Sequence, residues 1–170
     1  MAAFMSGLTG QIGLIPHPGS WIAKAICWFT KSDVFHVVIA LDDKTCIGAQ
    51  PNGVTITPMS AWPTAIWSRF PLTEAQAKGC ADWARAREHR PYNFVADAII
   101  GIECRTGVRF PRWITRHFSS DATYECAELA DAALTLGAGI QVFTDGRDFG
   151  LVYPGSFQQL FKDRGWWPPQ

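Results

Sequence analysis

The sequence predicts an α+β domain, a small antiparallel sheet packed against helices, and three observations predict it. Alternating and β-branched runs separated by turn signals fill the first 70 residues, helical patterns follow Pro71, and no linker or internal repeat divides the 170 residues. One domain over 1–170 is therefore expected, a length that buries a real core. A composition of 48% hydrophobic and 18% charged residues excludes a disordered chain and predicts a sparsely charged globule.

Taken in order, Gln11 to Ile15 reads as a short strand closed by Pro16-His17-Pro18-Gly19, after which Ser20 caps a mostly apolar helix from Trp21 to Thr30. Val34 to Leu41 is dense in β-branched residues, and Asp42-Asp43-Lys44 turns it into a strand over Thr45 to Ala49. Asn52-Gly53 gives the next turn, Val54 to Thr57 alternates as a strand, and Thr64 to Phe70 is a candidate for one more. Thr73 is the expected N-cap of an amphipathic helix to Glu88, with Ala77, Cys80, Ala81 and Ala84 on its apolar face. Pro91 breaks it; Tyr92 to Ile100 reads as a short helix and Gly101 to Ser120 as a loop-like insertion. Tyr124 to Leu136 is a helix with Ser119, Ser120, Asp121 and Thr123 as capping candidates and Gly137-Ala138-Gly139 as its stop. A short helix from Pro154 and a Trp/Pro-rich tail close the chain.

Fifteen basic and fifteen acidic residues cancel, so the excess that drives nucleic-acid binding by counterion release is missing. The apolar runs Trp21 to Phe29 and Val34 to Leu41 fall short of the ~18 residues that span a bilayer, so no transmembrane segment is expected. With no basic residue before Lys24 and a Pro/Gly turn at 16–19, the N-terminus does not read as a signal peptide, and synthesis in the cytoplasm is expected. Five cysteines at 27, 46, 80, 104 and 126 match neither a disulfide framework nor a zinc pattern, and no ligand cluster suggests a metal or other cofactor.

A nucleophilic thiolate needs an electropositive setting, which the unpaired N–H groups of a helix N-terminus supply. Cys126 stands in the first turn of its helix, where its own N–H is also suited to an oxyanion; the plain alternative is a small buried residue. His36 is a titratable ring inside an apolar strand, either the base that a thiol nucleophile requires or a hydrogen-bonded histidine of a half-buried strand. Cys27 and Cys80 read as core, and His17, His89 and His117 as surface.

Gly10-Gln11-Ile12-Gly13-Leu14-Ile15, Ile26-Cys27-Trp28-Phe29-Thr30, Phe35-His36-Val37-Val38-Ile39-Ala40 and Tyr124-Glu125-Cys126-Ala127-Glu128-Leu129 together resemble the YiiX-like, circularly permuted branch of the NlpC-type papain-like cysteine hydrolases. The order carries the resemblance, because in that branch the histidine strand precedes the cysteine helix. Tyr92-Asn93 and Val152-Tyr153-Pro154-Gly155-Ser156 resemble two further family elements, extending the similarity over about residues 10 to 160.

The resemblance implies a permuted papain-like fold, with Cys126 as nucleophile and His36 as general base and later general acid. It also implies amide cleavage through a thioester acyl-enzyme, with peptidoglycan stem peptides as substrates and a phage lysis or tail-associated setting. A related acyltransferase chemistry on lipids stays open beside it. The family's V-x-E-A segment, whose glutamate orients the imidazole, reads Ile47-Gly48-Ala49-Gln50 here, and Gly48 takes the glutamate's place. The orienter is then Gln50, Asp42, a backbone carbonyl, or missing; Gln50 is the choice, and a surface strand residue is its plain alternative. Tyr92 reads as core before oxyanion donor, and Arg105, Arg109, Arg112 and Arg116 as solvated charges before an anion site. Eight tryptophans exceed the needs of the core, so exposed ones would mark a sugar or protein face. The lost glutamate and these aromatics motivate a function of another class, a catalytically inactive papain-like module for interaction or assembly.

Overall fold

Residues 7–16, 24, 27–28, 30–108, 111, 123–147 and 149–168 are described by the computed structural model. Strands β1 (Ile12–Pro16), β2 (Val34–Ala40), β3 (Thr45–Gln50), β4 (Gly53–Pro58) and β5 (Ile66–Trp67) form one antiparallel sheet of order β4-β3-β2-β1-β5. The β2–β3 turn is fixed by Asp42, whose Oδ1 accepts from the backbone N–H of Lys44 and Thr45 at 2.8 and 2.7 Å. The expected strand over Thr64 to Phe70 shrinks to two residues because a side chain takes over the pairing. Gln11 accepts from Phe70 N at 3.0 Å and donates to Phe70 O at 2.9 Å, which ends the ladder after Trp67.

Because side chains alternate along a strand, each strand supplies both faces. Ile12, Leu14, Val37, Ile39, Ile47 and Ala49 point to the helices and form the main core with them, where Phe157 and Phe161 are fully buried. Burying each such ring contributes about 2 kcal/mol. Ile15, Val38 and Cys46 point the other way, under Phe35, Trp62, Ala65 and Trp67. Gly13 lies on that second face, and Trp67 covers it so closely that a Cβ there would stand 2.8 Å from the indole.

Helix α1 (Glu74–Arg85) starts at Thr73 with the capping box that its sequence predicts, Gln76 being the reciprocal partner. Helix α2 spans Phe94–Thr106, so the expected loop from Gly101 is helical through residue 106. One helical glycine costs only ~1 kcal/mol, and the stop lies instead at Gly107, which has φ 74° and donates to Glu103 O at 2.9 Å. Residues 112–122 of that insertion, with Arg112, Arg116, His117 and the capping candidates Ser119, Ser120 and Asp121, lie outside the described residues, as do Arg109 and His17. Of the helix expected over Trp21 to Thr30, positions 24, 27, 28 and 30 are helical and the others lie outside the description.

Helix α3 (Cys126–Ala132) continues as a π-helical turn over Ala133–Gly137, which lies against α1. Helix α4 (Pro154–Asp163) carries proline in its first turn as expected. The tail then folds back, with Trp166 edge-on to Phe70 and Phe161 at 4.9 and 5.4 Å between centroids. Most of the described tryptophans are thus packed; Trp28 is the large exposed case among them, with Arg105 stacked 3.8 Å from its ring centre.

Candidate functional site

Cys126 enters its helix from a pinned segment. Tyr124 N donates to Pro91 O at 3.1 Å and Asn93 N to Tyr124 O at 3.0 Å, so the chain just before the thiol is tied to the start of α2. Tyr92 pairs there with Tyr124 in an isolated parallel bridge and packs against the main core, as its reading from sequence favoured.

The cap of α3 is Glu125, not one of the residues expected upstream. Its Oε2 accepts from Ala127 N at 2.9 Å and Glu128 N at 3.0 Å, while Glu128 Oε2 accepts from Glu125 N at 3.3 Å. The signal was legible: an acceptor followed three residues later by glutamate is a capping-box spacing, here in Glu125-Cys126-Ala127-Glu128. The second oxygen of the cap serves the thiol, since Cys126 Sγ donates to Glu125 Oε1 at 3.1 Å. Cys126 and Glu125 are both buried.

His36 sits elsewhere. Phe35 is an extra residue in β2, between Val34 paired with Pro16 and His36 paired with Ile15. After this bulge His36 shares a face with Val38 and Ile15, the face away from α3. Its ring lies 5.2 Å from that of Trp62 and 6.0 Å from that of Phe35. No hydrogen bond joins it to Cys126, which belongs to the helix-side core, and His36 Nε2 is buried without a partner among the described residues. Burial pushes the imidazole down to about 4.

Gly48 stands beneath this ring, and a Cβ there would lie 3.0 Å from His36 Nε2 and 3.1 Å from a methyl of Val38. The imidazole therefore fills the space that a side chain at 48 would use, which gives the glycine a packing reason. Gln50 ends the same strand on the same face, two residues on, and its Nε2 is also buried without a partner among the described residues. The two residues are neighbours on one face and are not hydrogen-bonded to each other.

Three other cysteines have a described environment. Cys80 is core, its thiol pushed up to about 12 by desolvation; Cys46 is buried on the second face; Cys27 is half-buried rather than core. His89 is exposed as expected.

No family model and no curated protein matches the chain. Among solved structures, the crystal structure of metalloprotein YiiX from Escherichia coli O157:H7 superposes with a TM-score of 0.60 and 21% identity, over 95% of this chain and 84% of that one. The chain has a YiiX-like fold. At that identity the likeness to YiiX is one of fold, mixing helices with an antiparallel sheet as the sequence predicts.

Within this YiiX-like frame the sequence reading passed over three groups. Glu125 is the first. Asp131, on the far turn of α3, is buried with Oδ1 unpartnered among the described residues, and desolvation pushes it up to about 6 against the lowering influence of Arg147. Arg147 in turn donates from Nε to both oxygens of Asp145 at 2.8 Å and from Nη1 to Ser156 Oγ at 3.0 Å. Only the Asp145-Gly146-Arg147 spacing, a turn with opposite charges at its ends, signalled that cluster.

Proposed function

We propose that this chain works by binding, as a papain-like module without Cys–His hydrolysis, of the kind that serves in assemblies such as phage particles. The observation that carries the reading is the position of His36, on the sheet face opposite the Cys126 helix, buried and unprotonated near neutral pH. A dyad needs thiol and imidazole within hydrogen-bond reach. Here Cys126 donates a hydrogen bond to a capping carboxylate instead. YiiX is described as a metalloprotein; among the described residues of this chain no three of His, Cys, Asp and Glu group to hold a metal ion, so no metal step is assigned.

One observation favours a second reading, a cysteine amidase on peptidoglycan stem peptides. Cys126 occupies the first position of a capped helix, the end that stabilises an anion. That chemistry requires His36 to reach the α3 side of the sheet.

Peptide mass spectrometry of iodoacetamide labelling against pH separates the two. For the binding module, Cys126 keeps a pH dependence at or above the ~8.5 of an ordinary thiol, and His36→Ala leaves its rate unchanged. If Cys126 labels fastest of the five cysteines at neutral pH and slows about tenfold in His36→Ala, the amidase reading replaces the module.

A further inference from the structure

The large apolar side chains that stand exposed among the described residues are not scattered. Trp28, Ile102 and Val108 are three of the four, and they gather at the C-terminal end of α2. Arg105 stacks on the Trp28 ring at 3.8 Å, while Val108 N donates to Thr106 Oγ1 and Thr106 Oγ1 to Ile102 O, at 3.2 and 2.7 Å. Ala98, Ile102 and Arg105 form one exposed row along α2, at the i, i+4, i+7 spacing of a helix face. Single exposed apolar side chains need no explanation, whereas a cluster of them marks a contact surface.

Charge decides what that surface meets. Lys24 is exposed four residues before Trp28, both positions being helical. Asp97 and Glu103 occupy positions more than a quarter turn off the exposed row, at ~3.6 residues per turn. The same asymmetry runs along the sequence. Residues 1–32 and 104–120, which meet at the Trp28–Arg105 stack, hold six of the fifteen basic residues and none of the fifteen acidic ones, in a chain whose charges cancel.

We propose that this patch docks the protein on an anionic phospholipid bilayer, lying at the headgroups without crossing them. Trp28 suits that depth, with an apolar ring and a polar N–H, and Arg105 lies over it with a cation for the lipid phosphate. Ile102 and Val108 supply apolar area that a nucleic-acid backbone would leave unused, which favours lipid over RNA. Cys126 and His36 are buried outside the patch, so docking does not depend on whether Cys126 is catalytic.

The test is co-sedimentation of the 170-residue chain with sucrose-loaded vesicles of phosphatidylcholine, alone or with about one-third phosphatidylglycerol, at about 0.1 M and about 0.5 M salt. The mixed vesicles should pellet the chain at low salt, and pure phosphatidylcholine or high salt should leave most of it in solution. Arg105→Gln should weaken partitioning about fivefold, and Arg105→Lys much less, because the charge and not the stack is read. Ile102→Gln combined with Val108→Gln should weaken it about tenfold through lost apolar contact. These side chains are exposed, so the variants should melt with the wild type. Absence of pelleting, pelleting indifferent to lipid charge, or full pelleting of the double variant would each overturn the assignment. So would tighter binding to oligouridylate than to the mixed vesicles, or a vesicle-free dimer that the double variant dissociates.

Discussion

Gly79→Ala is expected to destabilise the protein by about 3 kcal/mol, lowering Tm by roughly 10 °C. Gly79 lies inside α1, where alanine would ordinarily add ~1 kcal/mol of helix propensity. Packing outweighs that gain, because a Cβ at Gly79 would overlap the carbonyl oxygen of Gly137, and one at Gly137 would stand 2.7 Å from the carbonyl of Gly79. Both obstacles are backbone, which cannot rotate away. Gly13→Ala makes a milder comparison, since its nearest neighbours are side chains of Trp67 and Val38. Thermal unfolding followed by circular dichroism measures both, and a more stable Gly79→Ala would contradict the close approach of α1 to the π turn.

The second large effect is hidden in the wild type and emerges when one of two opposed groups is removed. Burial raises Asp131 from 3.8 to about 6, so between those values the folded chain keeps a proton that the unfolded chain has released. Stability from this group therefore falls as pH rises through the window, by about 3 kcal/mol at ~1.4 kcal/mol per unit. Burial lowers His36 from 6.5 to about 4, so there the unfolded chain holds the extra proton and stability rises with pH by a similar amount. The slopes nearly cancel. Asp131→Asn should uncover a gain of about 3 kcal/mol between roughly pH 4 and 6.5, and His36→Asn a loss of about 3 kcal/mol, with the double variant close to wild type in slope. Asp145, held down at about 2 by Arg147, titrates below the window. Urea unfolding at several pH values reads each difference from wild type, and parallel profiles would show that neither group is buried as described.

The strands were legible because period-two patterning and turn residues acted together. Val34 to Ala40, the Asp42 turn and Asn52-Gly53 each left a local mark that tertiary packing did not override. The cap at Thr73 was legible for the same reason. What could not be read was the face on which His36 emerges. Side-chain direction reverses with every residue, so one bulge at Phe35 decides it, and nothing local announces the bulge. Gly101 reads as a breaker in the sequence where the helix absorbs it, and the true stop, Gly107, is distinguished by its positive φ and its closing bond to Glu103 O. Glu125 is hard to read as the cap because glutamate seldom takes that position, although its partner Glu128 stands at the expected spacing.

The segment from His89 to Asn93 has a bearing on how these molecules behave when crowded. Val54 N donates to Arg90 O and His89 N to Val54 O, both at 2.8 Å, and the same segment then holds Tyr124. Both backbone groups of Val54, on the outer rim of β4, are thereby occupied from within the chain. At the opposite margin β5 offers only two residues. A sheet engaged at Val54 on one margin and cut to two residues on the other gives a neighbouring chain a shortened template for strand addition.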